Sequence, residues 1–162
     1  MRLLIASSFR PKKDIPTALK AVGLAREKVD CRLTVIGDAG DGEEGRQQLE
    51  AIHAVVDEYD LSDAVEFRGF QPYEAFLEAL HEHHVFLCTS RTAPDGDCEG
   101  GAPVSLIDAA ATGMPIVATQ HCDIPNVVVH GQNGLLAPEA NAEALAEHIR
   151  WFAEHPEALE TY

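Results

Sequence analysis

Positive charge is scarce in this sequence. Twelve Lys and Arg residues stand against 27 Asp and Glu residues, which gives a formal net charge of -15 at pH 7. Broad, nonspecific binding to nucleic acid or to an anionic membrane needs an extended basic surface, so this composition opposes both. The one local exception is a cluster formed by Arg10, Lys12 and Lys13. We therefore expect no nucleic-acid partner.

Long apolar runs and paired cysteines are also absent. No run approaches the ~20 apolar residues of a membrane-spanning helix. A strand is predicted from the first residues, so we expect no signal peptide. The four cysteines include no Cys-x-x-Cys pair, which is typical of reduced thiols in a cytoplasmic protein.

The sequence lacks regular metal-ligand spacing as well. Four loop residues of suitable chemistry are Cys98, His121, Cys122 and Asp123. Their irregular spacing favours ordinary loop residues over a metal site. The histidines at 81, 83 and 84 end a predicted helix, where a partial negative charge favours them without a metal. We expect no metal in this chain.

Neither common nucleotide fingerprint occurs. The stretch "VIGDAGDG", residues 35 to 42, is a strand that enters a glycine turn. It matches neither the GxGxxG dinucleotide pattern nor the GxxxxGK[ST] phosphate loop. NAD or ATP chemistry is therefore not indicated.

What the sequence does contain is an alternation of short apolar runs and longer helical patterns. This alternation predicts one α/β domain over residues 1 to 162, Rossmann-like and doubly wound, with about six parallel strands flanked by helices. The predicted strands are Leu3–Ala6, Arg32–Ile36, Val65–Phe67, Val85–Thr89, Pro115–Ala118 and Leu135–Ala137. The predicted helices are Ile15–Arg26, Glu44–Tyr59, Tyr73–Glu82, Pro103–Thr112 and Ala142–Glu154, with a short turn at Ile124–Val128.

Ligands of open α/β sheets bind beyond the carboxyl ends of the strands, so function is sought in the loops there. The first such loop, "SSFRPKKD", leads three cations into a helix N-terminus. This arrangement is suited to a phosphate or diphosphate. A solvated basic loop that relieves an acidic surface is an equally good interpretation.

The stretch "GDCEGGAPVSLIDAA", residues 96 to 110, combines acids with a glycine-rich helix start. Pro103 suits the first helical position, since its absent N–H would be unpaired there. The amides from Gly100 to Val104 are then candidate phosphate donors. Glu99 either favours the helix dipole or accepts hydrogen bonds from ligand hydroxyls. A ligand that is both a diphosphate and a polyol, such as a nucleotide sugar, suits amides and carboxylates together.

Seven segments resemble a known family in order along the chain: "FRPKKDI", "LTVIGDAG", "VEFRGF", "VFLCTS", "DGDCEGGAPVSLIDAAATGMPIVAT", "HCDIPNVVVHGQNGLLAPE" and "AEALAEHI". The family is that of retaining glycosyltransferases of family 4, which have the GT-B fold, and the similarity is to their C-terminal domain. The resemblance implies a nucleoside-diphosphate-sugar donor and no cofactor or metal. It also implies an N-terminal acceptor domain that this chain lacks, through which alone a peripheral membrane association is expected.

The resemblance further implies roles for individual residues. Glu99 matches the first acid of the family's Glu-x7-Glu motif, which contacts donor-sugar hydroxyls, and Lys13 matches the lysine of the diphosphate site. We therefore expect these two to be catalytic. Asp108 matches the second acid, which holds the ribose. The expected diphosphate cap is formed by Gly100, Gly101, Ala102, Pro103 and Val104.

Three departures from the family pattern stand out. Ser8 takes the place of the usual arginine, so Arg10 is the expected substitute. Asp14 replaces a glycine. The two acids lie nine positions apart instead of eight, and the second is Asp. Because the interval from Pro103 to Asp108 is kept, the extra residue is expected in the glycine loop, which can absorb it.

The sequence thus predicts the donor-binding part of a retaining glycosyltransferase that transfers a sugar from a nucleoside diphosphate to an acceptor. Two other functions stay open. One is a stand-alone nucleotide-sugar-binding module without catalysis. The other is a different GT-B enzyme such as an epimerase, whereas a sugar phosphorylase would need a cofactor-lysine signature that is missing.

Overall fold

Six short apolar runs form one parallel sheet in the computed structural model, which describes residues 1–162. The strands are β1 (Arg2–Ala6), β2 (Arg32–Ile36), β3 (Val65–Gly69), β4 (Val85–Cys88), β5 (Ile116–Thr119) and β6 (Gly134–Ala137). Every residue of β4, β5 and β6 is buried. Continuous apolar runs of this kind form strands that are covered on both faces.

Five of the six helices connect consecutive strands, and the sixth follows the last strand. They are α1 (Ile15–Arg26), α2 (Glu43–Glu58), α3 (Tyr73–Glu82), α4 (Val104–Ala111), α5 (Ile124–Val127) and α6 (Ala142–Glu154). The Asn141 side chain accepts a hydrogen bond from the Ala144 N–H at 2.9 Å and so caps α6. Gly113, with φ +78°, follows the end of α4 in the left-handed conformation that stops a helix. No helix is long and apolar enough to cross a membrane.

The strand order is β3-β2-β1-β4-β5-β6, with every neighbouring pair parallel. The chain builds the sheet outward from β1 in one direction, then returns to the middle and builds the other half from β4. The carboxyl ends of β1 and β4 therefore lie side by side at the topological switch point, where α/β domains bind ligands. The loops after these two strands carry the predicted site residues.

Two apolar layers hold the helices on the sheet. Helices α1, α2 and α6 pack on one face over a cluster of 27 buried residues. Helices α3, α4 and α5 cover the other face over a cluster of 15. The smaller layer leaves the start of α3 and α4 open to solvent, since Tyr73 and Val104 are 56% and 72% exposed.

The predicted fold class, a single α/β domain with six parallel strands, is confirmed, while several element bounds shift by one or two residues. Pro103 was predicted as the first residue of α4, and this is wrong. Pro103 has φ -58° and ψ 137°, so it is the residue before the helix, and α4 begins at Val104. Strand β4 ends at Cys88 instead of Thr89, because its pairing with β5 stops at the Cys88–Ala118 pair.

Candidate functional site

The loops that follow β1 and β4 are bonded to each other. Thr89 Oγ1 donates to the backbone oxygens of Lys13 and Asp14 at 3.0 and 3.1 Å. The Arg91 N–H donates to the Lys12 oxygen at 2.8 Å. These bonds set the first loop against the fourth at the switch point. The sequence analysis missed Thr89, although a polar residue directly after an apolar strand is the available signal.

The two residues predicted to be catalytic are in direct contact. Lys13 Nζ lies 2.6 Å from Glu99 Oε1, and the two side chains are only 15% and 8% exposed. The buried Ser90 hydroxyl donates to the same Glu99 oxygen at 2.6 Å. Lys13 is thus the counterion of Glu99 in this structure, and Ser90, which the sequence analysis missed, fixes the carboxylate.

A row of unpaired amides begins directly after Glu99. The N–H groups of Gly100, Gly101, Ala102 and Val104 donate to no acceptor in the chain. Gly100 has φ +71°, a left-handed conformation that glycine adopts without strain. The row leads into the N-terminus of the eight-residue helix α4, where the helix dipole is positive. Free donors and dipole together favour an anion at this point.

The other two cations of the first loop are engaged by a different acid. Asp97 is 3.0 Å from Arg10 Nη2 and 3.2 Å from Lys12 Nζ. Lys12 also donates to the Cys98 oxygen at 2.9 Å, and Arg10 lies 3.7 Å from Glu44. The hydrogen bond from Lys12 and the charge of Arg10 hold the pKa of Asp97 below its usual value. Arg10 therefore stands at the exposed rim, and its predicted role at a diphosphate stays a prediction.

Asp14, which replaces a glycine of the family pattern, has a backbone conformation that glycine adopts easily. Its φ of 48° lies in the left-handed region, where Asp is among the few tolerated side chains. Asp14 Oδ2 is 3.3 Å from Arg91 Nε, but outside hydrogen-bond geometry. Burial raises the pKa of Asp14, against hydrogen bonding to Thr17 and the Arg91 charge. This Oδ2 atom and Ser7 Oγ are the buried side-chain polar atoms without a hydrogen-bond partner, and both lie in the first loop.

A buried histidine connects Glu99 to the loop after β6. His121 Nε2 lies 3.2 Å from the Glu99 nitrogen and 3.2 Å from Cys122 Sγ, while Nδ1 lies 2.7 Å from Glu139 Oε1. The second Glu139 oxygen accepts from the Thr92 N–H at 2.9 Å. Burial works to raise the pKa of Glu139, but hydrogen bonds from Thr92 and His121 outweigh it and hold the pKa below its usual value.

Asp108 lies one turn past Val104 on α4, half-buried and close to Tyr73 at the start of α3. Desolvation and the neighbouring Asp108 charge raise the pKa of the Tyr73 phenol. Tyr73 also borders an open cavity of about 380 Å³, lined on its other sides by residues that include Ser8, Gly37, Phe70 and Gln71. The sequence analysis missed this cavity.

The cavity depends on a glycine. Gly37 has φ +133°, and a Cβ at this position would lie 1.8 Å from the Ser7 oxygen. Only glycine lets the loops after β1 and β2 approach so closely. The stretch "VIGDAGDG" therefore has a packing role at the edge of the candidate site.

No group of three or more His, Cys, Asp and Glu side chains is placed to hold a metal ion anywhere in residues 1–162. Cys98, His121, Cys122 and Asp123 do not form such a set. The Nε2 atom of His121 is instead occupied by the Glu99 amide.

The strand order and the parallel pairing define the class of doubly wound, Rossmann-like α/β domains. Within that class, residues 2–162 match the family described as "Glycosyl transferases group 1". The chain belongs to this family.

Curated relatives are much longer than this chain. It is 38% identical over 148 residues to the amylovoran biosynthesis glycosyltransferase AmsK of Erwinia amylovora. The match covers 90% of this chain and 34% of AmsK. The chain therefore spans about a third of that relative's length.

Solved glycosyltransferase structures share the fold over almost the whole chain. Sucrose-phosphate synthase of Thermosynechococcus elongatus has a TM-score of 0.85 at 25% identity, covering 99% of this chain and 38% of the synthase. HepE of Anabaena, solved with UDP and glucose, has a TM-score of 0.82 at 24% identity, covering 99% of this chain and 40% of HepE. These chains are GT-B glycosyltransferases, so the Rossmann-like domain here is of the kind found in that fold.

Proposed function

We propose that this chain is the donor-binding part of a retaining glycosyltransferase, which moves a sugar from a nucleoside diphosphate to an acceptor. The acceptor domain belongs to the remainder of a longer protein. One observation carries the proposal: Glu99, the partner of Lys13, is followed directly in the chain by the row of free amides. Cationic, amide and carboxylate groups then meet at one switch point, as a ligand with both phosphates and hydroxyls requires.

The diphosphate is assigned to the amide row and Lys13. Four unpaired N–H groups supply donors that the backbone holds in place, and the positive end of the α4 dipole favours the negative charge of the phosphates. Lys13 Nζ is mobile about its long stem and can turn from Glu99 to a phosphate oxygen. The charge that develops on the leaving diphosphate is then stabilised by preorganised donors, and the proposed reaction requires no metal.

The sugar is assigned to Glu99. Once Lys13 turns toward phosphate, the carboxylate becomes an acceptor for sugar hydroxyls, while the Ser90 hydroxyl keeps it in place. An ionised acceptor makes hydrogen bonds about twice as strong as a neutral one. Glu99 therefore orients the sugar relative to the leaving group.

The nucleoside is assigned to the other end of the same edge. Asp108 lies one helical turn beyond the amide row, where it can accept from ribose hydroxyls. Asp108 adjoins Tyr73, and Tyr73 borders the cavity of about 380 Å³. A cavity lined by Phe70 and Tyr73 suits the flat face of a nucleobase. The order sugar, diphosphate, ribose and base then follows the edge of the sheet.

Calorimetry on the 162-residue chain tests this proposal. UDP, GDP, UDP-glucose and GDP-mannose are titrated separately, and UDP is included because HepE was solved with it. We expect binding of one nucleotide pair, with tighter binding of the sugar-bearing member. A folded chain that binds none of the four contradicts the proposal. Transfer is not expected from this chain alone, since it spans only about a third of AmsK.

A further inference from the structure

We propose that His121 and Glu139 are positioning residues of the donor site, which hold Glu99 by its backbone so that its carboxylate faces the sugar. This assignment rests on the proposed function of Glu99. Neither residue is hydrogen bonded to the amide row or lines the cavity, so both act through Glu99 and its loop. The loops after β4, β5 and β6 meet at these contacts.

Donor and acceptor roles in this chain of contacts follow from the Glu99 amide. A backbone N–H can only donate, so His121 Nε2, 3.2 Å away, must accept. The ring proton is then on Nδ1, which donates to Glu139 Oε1 at 2.7 Å. Glu139, as a carboxylate, can only accept. A single neutral tautomer of His121, with its proton on Nδ1, therefore satisfies both the Glu99 N–H and the Glu139 carboxylate.

Glu139 holds both ends of the acidic loop. Its Oε2 accepts from the Thr92 N–H at 2.9 Å, near the loop start. Its Oε1 reaches Glu99, near the loop end, through His121. A clamp across this loop keeps Glu99 from moving away from Lys13.

Burial makes the contact rigid. The His121 side chain is 1% exposed, which leaves the imidazole no water to replace a lost partner. Removing the imidazole leaves the Glu99 N–H without its acceptor, and an unpaired donor is unfavourable. The loop then moves so that this N–H finds another partner, which carries the Glu99 carboxylate with it.

The test measures the sugar-dependent gain, defined as the Kd of the bare nucleotide divided by the Kd of its nucleotide sugar. The probes are UDP with UDP-glucose and GDP with GDP-mannose. In His121→Phe, which keeps a ring of similar size, we expect the gain to fall about fivefold, the worth of a typical hydrogen bond. The Kd of the bare nucleotide should stay within about twofold, because the amides and Lys13 that hold it are unchanged.

Coupling to Glu99 separates positioning from a general structural effect. In a Glu99→Gln background the sugar contact is already weakened, so His121→Phe should cause little further loss of the gain. Glu139→Ala should lower the gain as His121→Phe does. Glu139→Gln should keep most of it, because an amide oxygen still accepts from Nδ1. Glu147→Ala, on the exposed side of α6, is the matched acid control.

The outcomes are distinguishable. A wild-type chain that binds no probe overturns the proposed function and this assignment with it. A wild-type chain with a clear gain that persists in both His121→Phe and Glu139→Ala overturns this assignment alone. Should His121→Phe fail to fold, the two Glu139 variants decide the matter, since Glu139 is partly exposed. Equal losses from Glu139→Gln and Glu139→Ala also count against it.

Discussion

The inner pair, Lys13 with Glu99, and the outer cluster, Asp97 with Arg10 and Lys12, join the same two loops in different surroundings. Side chains of the inner pair are 15% and 8% exposed. In the outer cluster, Asp97 and Arg10 are 36% and 49% exposed, although Lys12 is 15% exposed. In the inner pair, two buried side chains also bind Glu99: the Ser90 hydroxyl donates to its carboxylate, and His121 accepts from its N–H.

This difference in exposure suggests different roles: the inner pair belongs to the proposed ligand site, and the outer cluster joins the two loops beside it. Exposed ion pairs are screened by water and salt and contribute about 0–1 kcal/mol each. A buried pair loses solvation and needs its partner, so breaking it costs several times more. Ligand binding should therefore depend strongly on the inner pair and weakly on the outer cluster.

The largest effect is expected from Lys13→Ala. It removes a charge from the proposed diphosphate site and leaves Glu99 without its counterion. Affinities for nucleotide and nucleotide sugar should both fall by roughly 30-fold, in line with truncation of a buried, hydrogen-bonded charge pair. Calorimetry measures both, with the exposed Lys28→Ala as control. Unchanged affinity in Lys13→Ala would mean that the diphosphate binds at another part of the carboxyl edge of the sheet.

Glu99→Gln should act on one end of the ligand. The amide keeps the shape but loses the charge that strengthens hydrogen bonds to sugar hydroxyls, so affinity for the nucleotide sugar should fall about tenfold. Affinity for the bare nucleotide should not fall with it. Competition between the two ligands reports the ratio directly, with Glu147→Gln as the matched exposed change. Equal losses for both ligands would contradict the role of Glu99.

A smaller effect of opposite sign is expected from Asp97→Asn. Asp97 is ionised at neutral pH and pairs with Arg10 and Lys12, and the hydrogen bond from Lys12 and the charges of both cations lower its pKa. Releasing these cations should raise the affinity for a bare nucleoside diphosphate by about twofold at low salt, and the gain should vanish at ~0.5 M salt. A loss of affinity would show that Asp97 orders the loop more than it competes with phosphate.

The smallest effect is expected on stability, from Asp14→Asn. Burial raises the folded-state pKa of Asp14, so the folded chain binds this proton more tightly than the unfolded chain does. The ionised carboxylate therefore lowers stability as pH rises above the unfolded pKa, ~3.9. Asn removes that cost and also tolerates the left-handed backbone.

Urea unfolding at pH 3 and pH 7 measures this prediction. We expect Asp14→Asn to be more stable than the original chain at pH 7, with the difference shrinking at pH 3. Asp14→Ala serves as the control for the left-handed backbone, which alanine tolerates less well. Lower stability of the Asn variant at pH 7 would mean that attraction to Arg91 exceeds the cost of burial.

Much of the fold was predictable because most of its strands are apolar runs covered on both faces, the edge strand β3 being the exception. β2 was predicted with its observed bounds, and the loops after β1 and β4 were chosen from the sequence as candidate site segments. Family resemblance assigned Lys13 and Glu99 to one donor site without predicting that they touch; the structure places them in direct contact, and their catalytic roles stay predictions. Glu139 was not predictable, since its partners Thr92 and His121 lie in other loops and no local pattern connects them.

The sequence by itself determined the α/β alternation, the glycine-rich helix start and the presence of acids beside it, since each depends on local periodicity and residue chemistry. Tertiary structure decided which acid meets which cation. Glu99 pairs with Lys13, and Asp97 pairs with Lys12 and Arg10. This pairing follows from how the two loops lie against each other, which the hydroxyl of Thr89 helps to fix. Pairing across loops depends on distances that only the packed sheet sets.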